Sequence, residues 1–297
     1  MEEPKAVWQE GSTRLLDYGG KGPLALFVPS LINRAYILDL DKQRSILRWL
    51  KVQGLHPLLL DWGSPGADEK AYDLNSYTER LLRAMAQYKQ PLHLVGYCMG
   101  GNIALAAAAQ AQNRLSSLVL MATPWDFHAE NKAAALRSAA MYRLWKPGCG
   151  AMGELPVDLI QTLFALLDPL GPQTKFMRFA DMNDAQDVES FVALEDWLND
   201  GIPLTLGVAD TCLFDWYERN ALVAGEWIDP NVIELPTLVM IPDQDKIVPP
   251  ASAEALASAL PQCMRRRVPL GHVGMIVSRN AKQHAWEPLA KWLKSQT

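Results

Sequence analysis

Apolar residues fall in blocks along this chain, and the blocks predict its elements. Leu24 to Val28 is an unbroken apolar run closed by Pro29-Ser30, and Pro57 to Leu60 is another, closed by Asp61-Trp62-Gly63-Ser64-Pro65-Gly66. Short continuous runs bounded by turn residues predict strands buried on both faces, as in a parallel sheet. Between them, Ile46, Leu47, Trp49 and Leu50 fit a helix over Lys42 to Lys51 that Gly54 ends. A second helical stretch covers Tyr72 to Tyr88, a strand begins at Leu92, the alanine-rich run Ile103 to Ala111 predicts a helix, and Leu118 to Met121 predicts the next strand. Strand alternating with helix predicts an α/β fold with a doubly wound, mostly parallel sheet, whose functional residues lie in loops at the strands' C-terminal ends.

The alternation stops at about Pro124 and resumes after Ile233. The intervening stretch holds five of the ten tryptophans, Trp125, Trp145, Trp197, Trp216 and Trp227. It has turn signals at Lys146-Pro147-Gly148 and Leu170-Gly171-Pro172, and helical patterns near Val157 to Leu167 and Val188 to Leu198. The expectation is a core formed by residues 1–123 and 234–297, with residues 124–233 inserted as a helical cap whose tryptophans mainly pack it onto the sheet. After it come a strand at Thr237 to Ile241, a helix at Ala251 to Leu260, a short strand at Arg266 to Val268 and a closing helix at Ala285 to Leu293.

The candidate chemistry sits where the strand from Leu92 meets the alanine-rich helix, in Gly96-Tyr97-Cys98-Met99-Gly100-Gly101. A nucleophile on a sharp strand-to-helix turn is strained, and side chains two positions either side would collide with the neighbouring strand and helix, so Gly96 and Gly100 fit a nucleophile elbow. The turn would expose the Cys98 sulfur, aim it at a helix N-terminus and offer the Met99 N–H to an oxyanion. A free cysteine is more often a small buried hydrophobe, so the motif alone decides little. Position decides more. Asp245 and His272 each follow a predicted strand, and the order Cys98, Asp245, His272 is the nucleophile, acid, base order of α/β-hydrolases. Asp243 rivals Asp245 as the acid. His56 and His93 flank strands and are expected to make local hydrogen bonds, His284 lies on the last helix as a surface residue, and His128, in Asp126-Phe127-His128, is a weaker binding candidate.

Composition narrows the partners. The 297-residue chain carries a formal net charge of -5, which gives no basic field for nucleic acid. Arg265-Arg266-Arg267 could attract the phosphates of a nucleotide-bearing thioester, although such runs are usually solvated. No secretory signal or run long enough for a transmembrane segment is visible, no glycine-rich phosphate loop or metal-ligand cluster is present, and Cys98, Cys149, Cys212 and Cys263 show no paired spacing. The expectation is a cytoplasmic protein with reduced thiols and no metal.

Several segments together carry a family resemblance: Val28-Pro29-Ser30-Leu31-Ile32-Asn33-Arg34-Ala35-Tyr36-Ile37-Leu38-Asp39-Leu40, the cysteine box, Trp197-Leu198-Asn199-Asp200-Gly201, Asp245-Lys246-Ile247-Val248-Pro249-Pro250 and Gly271-His272-Val273-Gly274. From about Leu24 onward the chain resembles polyhydroxyalkanoate synthases of the α/β-hydrolase superfamily, nearest to the short class whose catalytic subunit works with a non-catalytic partner. The resemblance implies an acyltransferase that polymerises 3-hydroxyacyl-coenzyme A, 3-hydroxybutyryl-coenzyme A first among them. It makes Cys98 the nucleophile, Asp245 the acid and His272 the general base. The coenzyme A thioester is then a substrate and no cofactor is needed. The partners are the growing polyester and a synthase subunit or second copy, at the surface of a polyester granule. In this fold the oxyanion donors would be Met99 and, from the Ser30 to Ile32 loop, Leu31. Two positions depart from the family: Lys246 stands where histidine usually follows the aspartate, and the chain is short at its N-terminus. The same triad would serve a thioesterase, a polyester-oligomer hydrolase or a dienelactone-type hydrolase, and a non-catalytic granule-associated relative would keep the same fold.

Overall fold

The structure is a computed structural model that describes residues 1, 3–167, 177, 179 and 184–296. An eight-stranded sheet organises it, in the spatial order β1-β2-β4-β3-β5-β6-β9-β10. Its members are β1 (Lys5–Glu10), β2 (Thr13–Asp17), β3 (Leu24–Val28), β4 (His56–Asp61), β5 (Leu92–Tyr97), β6 (Leu115–Met121), β9 (Thr237–Pro242) and β10 (Met264–Val268). From β4 through β10 every neighbouring pair is parallel, whereas β1 and β2 join by antiparallel pairing. The fold is that of an α/β-hydrolase, a mostly parallel sheet flanked by helices.

Burial follows from this layering. β3, β5 and β9 have no exposed position, because helices cover both faces of the central strands. On the two sides lie α1 (Ile46–Val52), α2 (Leu74–Met85), α3 (Met99–Ala111), α8 (Pro250–Ala259), the single turn α9 (Gly274–Val277) and α10 (Glu287–Ser295). Helix α1 starts where the Ser45 side chain accepts the Arg48 N–H, and α2 where Asp73 and Ser76 cap each other, so both begin later than the apolar pattern alone suggests. Helix α3 is buried over Met99 to Ala108 and packs between α2 and the sheet, which its small alanines allow.

Between β6 and β9 lie α4 (Lys132–Met152), α5 (Val157–Leu167), α6 (Ala185–Asn199), α7 (Leu206–Asp210) and a two-stranded sheet of β7 (Glu154–Leu155) and β8 (Leu204–Thr205). The turn expected at Lys146-Pro147-Gly148 is not one: α4 runs through Pro147 and ends at Gly153 in the left-handed conformation. Packing overrides the lost backbone donor there. Ala135, Ala139, Tyr142 and Cys149 are buried along the helix, and Tyr142 and Lys146 both reach Asp210, at 2.9 Å each. The other expected turn, Leu170-Gly171-Pro172, lies outside the described residues. Among the described residues no helix is long and apolar enough to cross a membrane.

Candidate active site

The strand order reverses between β3 and β5, which places the loops after these two strands side by side at the C-terminal edge of the sheet, where doubly wound folds build their sites. Cys98 follows β5 directly, with φ 56° and ψ -133°. A non-glycine residue at positive φ stores strain of about 1–3 kcal/mol, and the surroundings hold it here. The Cys98 N–H donates to the Met121 carbonyl at 2.9 Å, and the Cys98 carbonyl accepts the Gly101 N–H at 2.9 Å. The glycines are steric necessities. A Cβ on Gly96 would come 2.4 Å from the Gly101 Cα, and one on Gly100 would lie 2.1 Å from the Val28 carbonyl oxygen and 2.4 Å from that of Pro29. Bare backbone at Gly100 therefore lets the nucleophile helix touch the start of the Ser30 to Ile32 loop.

Asp245 and His272 come from the loops after β9 and β10, which are themselves tied together. Asp243 N–H donates to the Val268 carbonyl at 2.8 Å and Gln244 N–H to that of Leu270 at 3.0 Å. His272 Nδ1 and Asp245 Oδ2 are 2.6 Å apart, and both residues are buried. The other carboxylate oxygen of Asp245 accepts the N–H groups of Ile247 and Val248, each at 2.8 Å, so neither oxygen can turn. Tyr97 fixes the base from below, donating its hydroxyl to the His272 carbonyl at 3.2 Å with its ring 5.2 Å from the imidazole. Asp243, the rival acid, is exposed and pairs with Arg267.

Burial by itself lowers the pKa of His272, but the negative charge of a Cys98 thiolate, the hydrogen bond to Asp245 and that to Cys98 reverse the effect and push it up to about 10. Cys98 and His272 thus interact directly. A value raised above the ordinary 6.5 contributes stability that is complete below about pH 6.5 and is lost as the pH rises through about 10. Urea unfolding of the intact protein should show that loss between these limits, and Cys98→Ala should reduce it. Identical pH dependence in the two proteins would refute the coupling.

Two cavities meet at Cys98. One, of about 390 Å³, is bounded by apolar side chains including Met99, Phe127, Leu213 and Trp216. The other, of about 640 Å³, is apolar over most of its wall as well, with Ile32, Ile37, Phe164 and Trp197, and adds Arg34, Gln161, Asn199 and His272. Lys246 lies on the wall of both, beside Asp245. Met99 begins α3 at the elbow and lines the smaller cavity, whereas Leu31 is 3% exposed and lines neither, its neighbour Ile32 lining both. The remaining histidines have other partners: His56 Nε2 meets Asp17 at 2.6 Å, His93 Nδ1 meets Ser117 Oγ at 2.7 Å, and His128 Nε2 donates to the Tyr217 carbonyl at 2.9 Å. His284 is half-buried rather than a surface residue, because it sits in the π-helical turn before α10. Arg265 and Arg267 are held by Glu254 and Asp243 on the edge strand β10 and line neither cavity. Trp197 and Asp200, for which spacing gives no signal, connect to the loop after β3 across more than 160 positions of sequence.

Comparison with known proteins agrees with this geometry. A family model described as the α/β-hydrolase fold matches residues 41–146. The poly(3-hydroxyalkanoate) polymerase subunit PhaC of Haloferax mediterranei is 28% identical over 99% of this chain and 64% of its own length. The PhaC subunit of Synechocystis is 28% identical over 98% of this chain and 84% of its own. The chain thus spans a little under two thirds of the haloarchaeal relative. Among solved structures, the monoacylglycerol lipase of Paleococcus ferrophilus superposes with a TM-score of 0.63 at 15% identity, covering 96% of this chain and 99% of the lipase, a likeness of fold. The chain has the α/β-hydrolase fold and is similar to PhaC subunits over nearly its whole length.

Proposed function

We propose that this chain is an acyltransferase that polymerises 3-hydroxyacyl groups from coenzyme A thioesters, with Cys98 as nucleophile, His272 as general base and acid, and Asp245 as the group that orients and stabilises the imidazolium. The observation that carries the reading is the line from the Asp245 carboxylate through His272 to a cysteine on a strained elbow, in a chain similar to PhaC subunits over nearly its whole length. His272 takes the thiol proton and the Cys98 sulfur attacks the thioester carbonyl. The carbon–sulfur bond to coenzyme A breaks, and His272 returns the proton to the departing thiolate. In the second half His272 takes the proton of a 3-hydroxyl group, whose oxygen attacks the Cys98 thioester. A carbon–oxygen bond forms, the carbon–sulfur bond breaks, and Cys98 regains its proton. Cysteine suits this sequence because the acyl-enzyme is a thioester, which stays activated for transfer to an alcohol where a serine ester would not.

Of the two cavities His272 lines only the larger, so the leaving thiol and the incoming hydroxyl, which exchange protons with it, are assigned to that side. The acyl tail then occupies the smaller cavity, against Met99, Phe127, Leu213 and Trp216. The Met99 and Leu31 N–H groups are the proposed oxyanion donors, and residues 124–233 the proposed cap, which must exclude water because water and alcohol compete for the same intermediate. A non-catalytic subunit or second copy at a granule surface belongs to the same proposal. The test is incubation with 3-hydroxybutyryl-coenzyme A, with and without such a subunit, following thiol release and the mass of the acyl product. Ester oligomers are expected; free 3-hydroxybutyrate alone would make the protein a thioesterase.

A further inference from the structure

The loop after β3 is pinned at three of its carbonyls, two of them by a distant part of the chain. Trp62 Nε1 donates to the Pro29 carbonyl at 3.0 Å, the Ile202 N–H to that of Ile32 at 2.8 Å, and Trp197 Nε1 to that of Arg34 at 2.8 Å. Asn33 and Gly201 form an isolated antiparallel bridge. Asp200 receives Arg34 Nε at 3.1 Å on one oxygen and the Tyr36 hydroxyl at 3.2 Å on the other. Within the loop the Ile32 N–H donates to Ser30 Oγ at 3.3 Å, so the segment from Ser30 to Ile32 lies between the pinned ends. Trp197 is 5% exposed, so its N–H bond is shielded from water, whereas the Arg34–Asp200 pair is partly solvated and contributes less.

We propose that Trp197 and, more weakly, Asp200 are positioning residues for acyl transfer: they hold the loop that bears the second oxyanion donor against the Cys98 elbow. This rests on the acyl-transfer reading of the site. The segment Trp197 to Ile202 then does more than cover the cavities, because the geometry of the oxyanion hole depends on where that segment sits. A hydrogen-bond donor displaced by about an ångström loses much of its effect on the transition state while leaving the nucleophile untouched.

Two reagents separate this role from a general loss of structure. Acylation of Cys98 by p-nitrophenyl acetate develops an oxyanion, whereas alkylation by iodoacetamide needs the same thiolate and imidazolium but develops none. Trp197→Phe keeps an aromatic side chain, somewhat smaller, and removes the donor, and is expected to slow acylation about 10- to 100-fold while alkylation stays within about twofold. Asp200→Asn, at a solvated position, should show the same selectivity at about 3- to 10-fold. Both rates are read by mass spectrometry of the Cys98 peptide. Equal losses in the two reactions, or no loss in either, would overturn the proposal. Because p-nitrophenyl acetate is not a polymer precursor, the result stands whether or not 3-hydroxybutyryl-coenzyme A proves to be the substrate.

Discussion

Cys98→Ala is expected to reduce thiol release from 3-hydroxybutyryl-coenzyme A by on the order of 10⁴-fold or more, leaving only what binding and the oxyanion donors supply. The fold should persist. The backbone bonds from the Cys98 N–H to Met121 and from Gly101 back to the Cys98 carbonyl do not involve the sulfur. The space that Gly96 and Gly100 leave open is also unaffected. Far-ultraviolet circular dichroism and the urea midpoint at pH 6 check that point, and an initial-rate assay checks the loss. Activity within tenfold of the intact protein, an order-of-magnitude margin far above the residual expected, would remove Cys98 from the mechanism.

Asp245→Asn should come second, with a fall of on the order of 10³- to 10⁴-fold in kcat. The carboxylate accepts on both oxygens, the His272 ring N–H on one and the Ile247 and Val248 N–H groups on the other. An amide has only one accepting oxygen. Turned one way it faces the imidazole with N–H groups and selects the wrong tautomer; turned the other way it sets two donors against two donors and loosens the loop that carries Lys246. Iodoacetamide alkylation near neutral pH should slow as well, because the imidazolium that stabilises the thiolate loses its counter-charge. A variant that alkylated and turned over at the unchanged rate would show that Asp245 is only a loop cap.

The parallel core was readable because its signal is local. Leu24–Val28 and Thr237–Pro242 are buried throughout, so their strands appear as apolar runs. The N-terminal hairpin escaped notice for the opposite reason. β1 has no fully buried residue, and in β2 only Thr13 and Leu15 are fully buried, which is too little periodicity to distinguish from a loop. Pro147 misled because proline usually ends a helix, and here the buried face on either side of it carries α4 through. At the site, strand position and chain order pointed to Cys98, Asp245 and His272 and could not separate Asp245 from Asp243. The backbone contacts of Ile247 and Val248 turn Asp245 inward, while Arg267 holds Asp243 at the surface. The attachment of Trp197 and Asp200 to the loop after β3 had no local signal, because it exists only once the chain has folded.

The central claim, that Cys98 carries the acyl group as a thioester, is tested most directly by rapid quenching of the protein mixed with 3-hydroxybutyryl-coenzyme A, followed by intact-mass and peptide mass spectrometry. The expected result is a 3-hydroxybutyryl adduct, or a series of oligomeric adducts, on the peptide containing Cys98, released by neutral hydroxylamine and absent from Cys98→Ala. Coenzyme A release with no adduct on Cys98, or an adduct on another residue that persists in Cys98→Ala, would contradict the account.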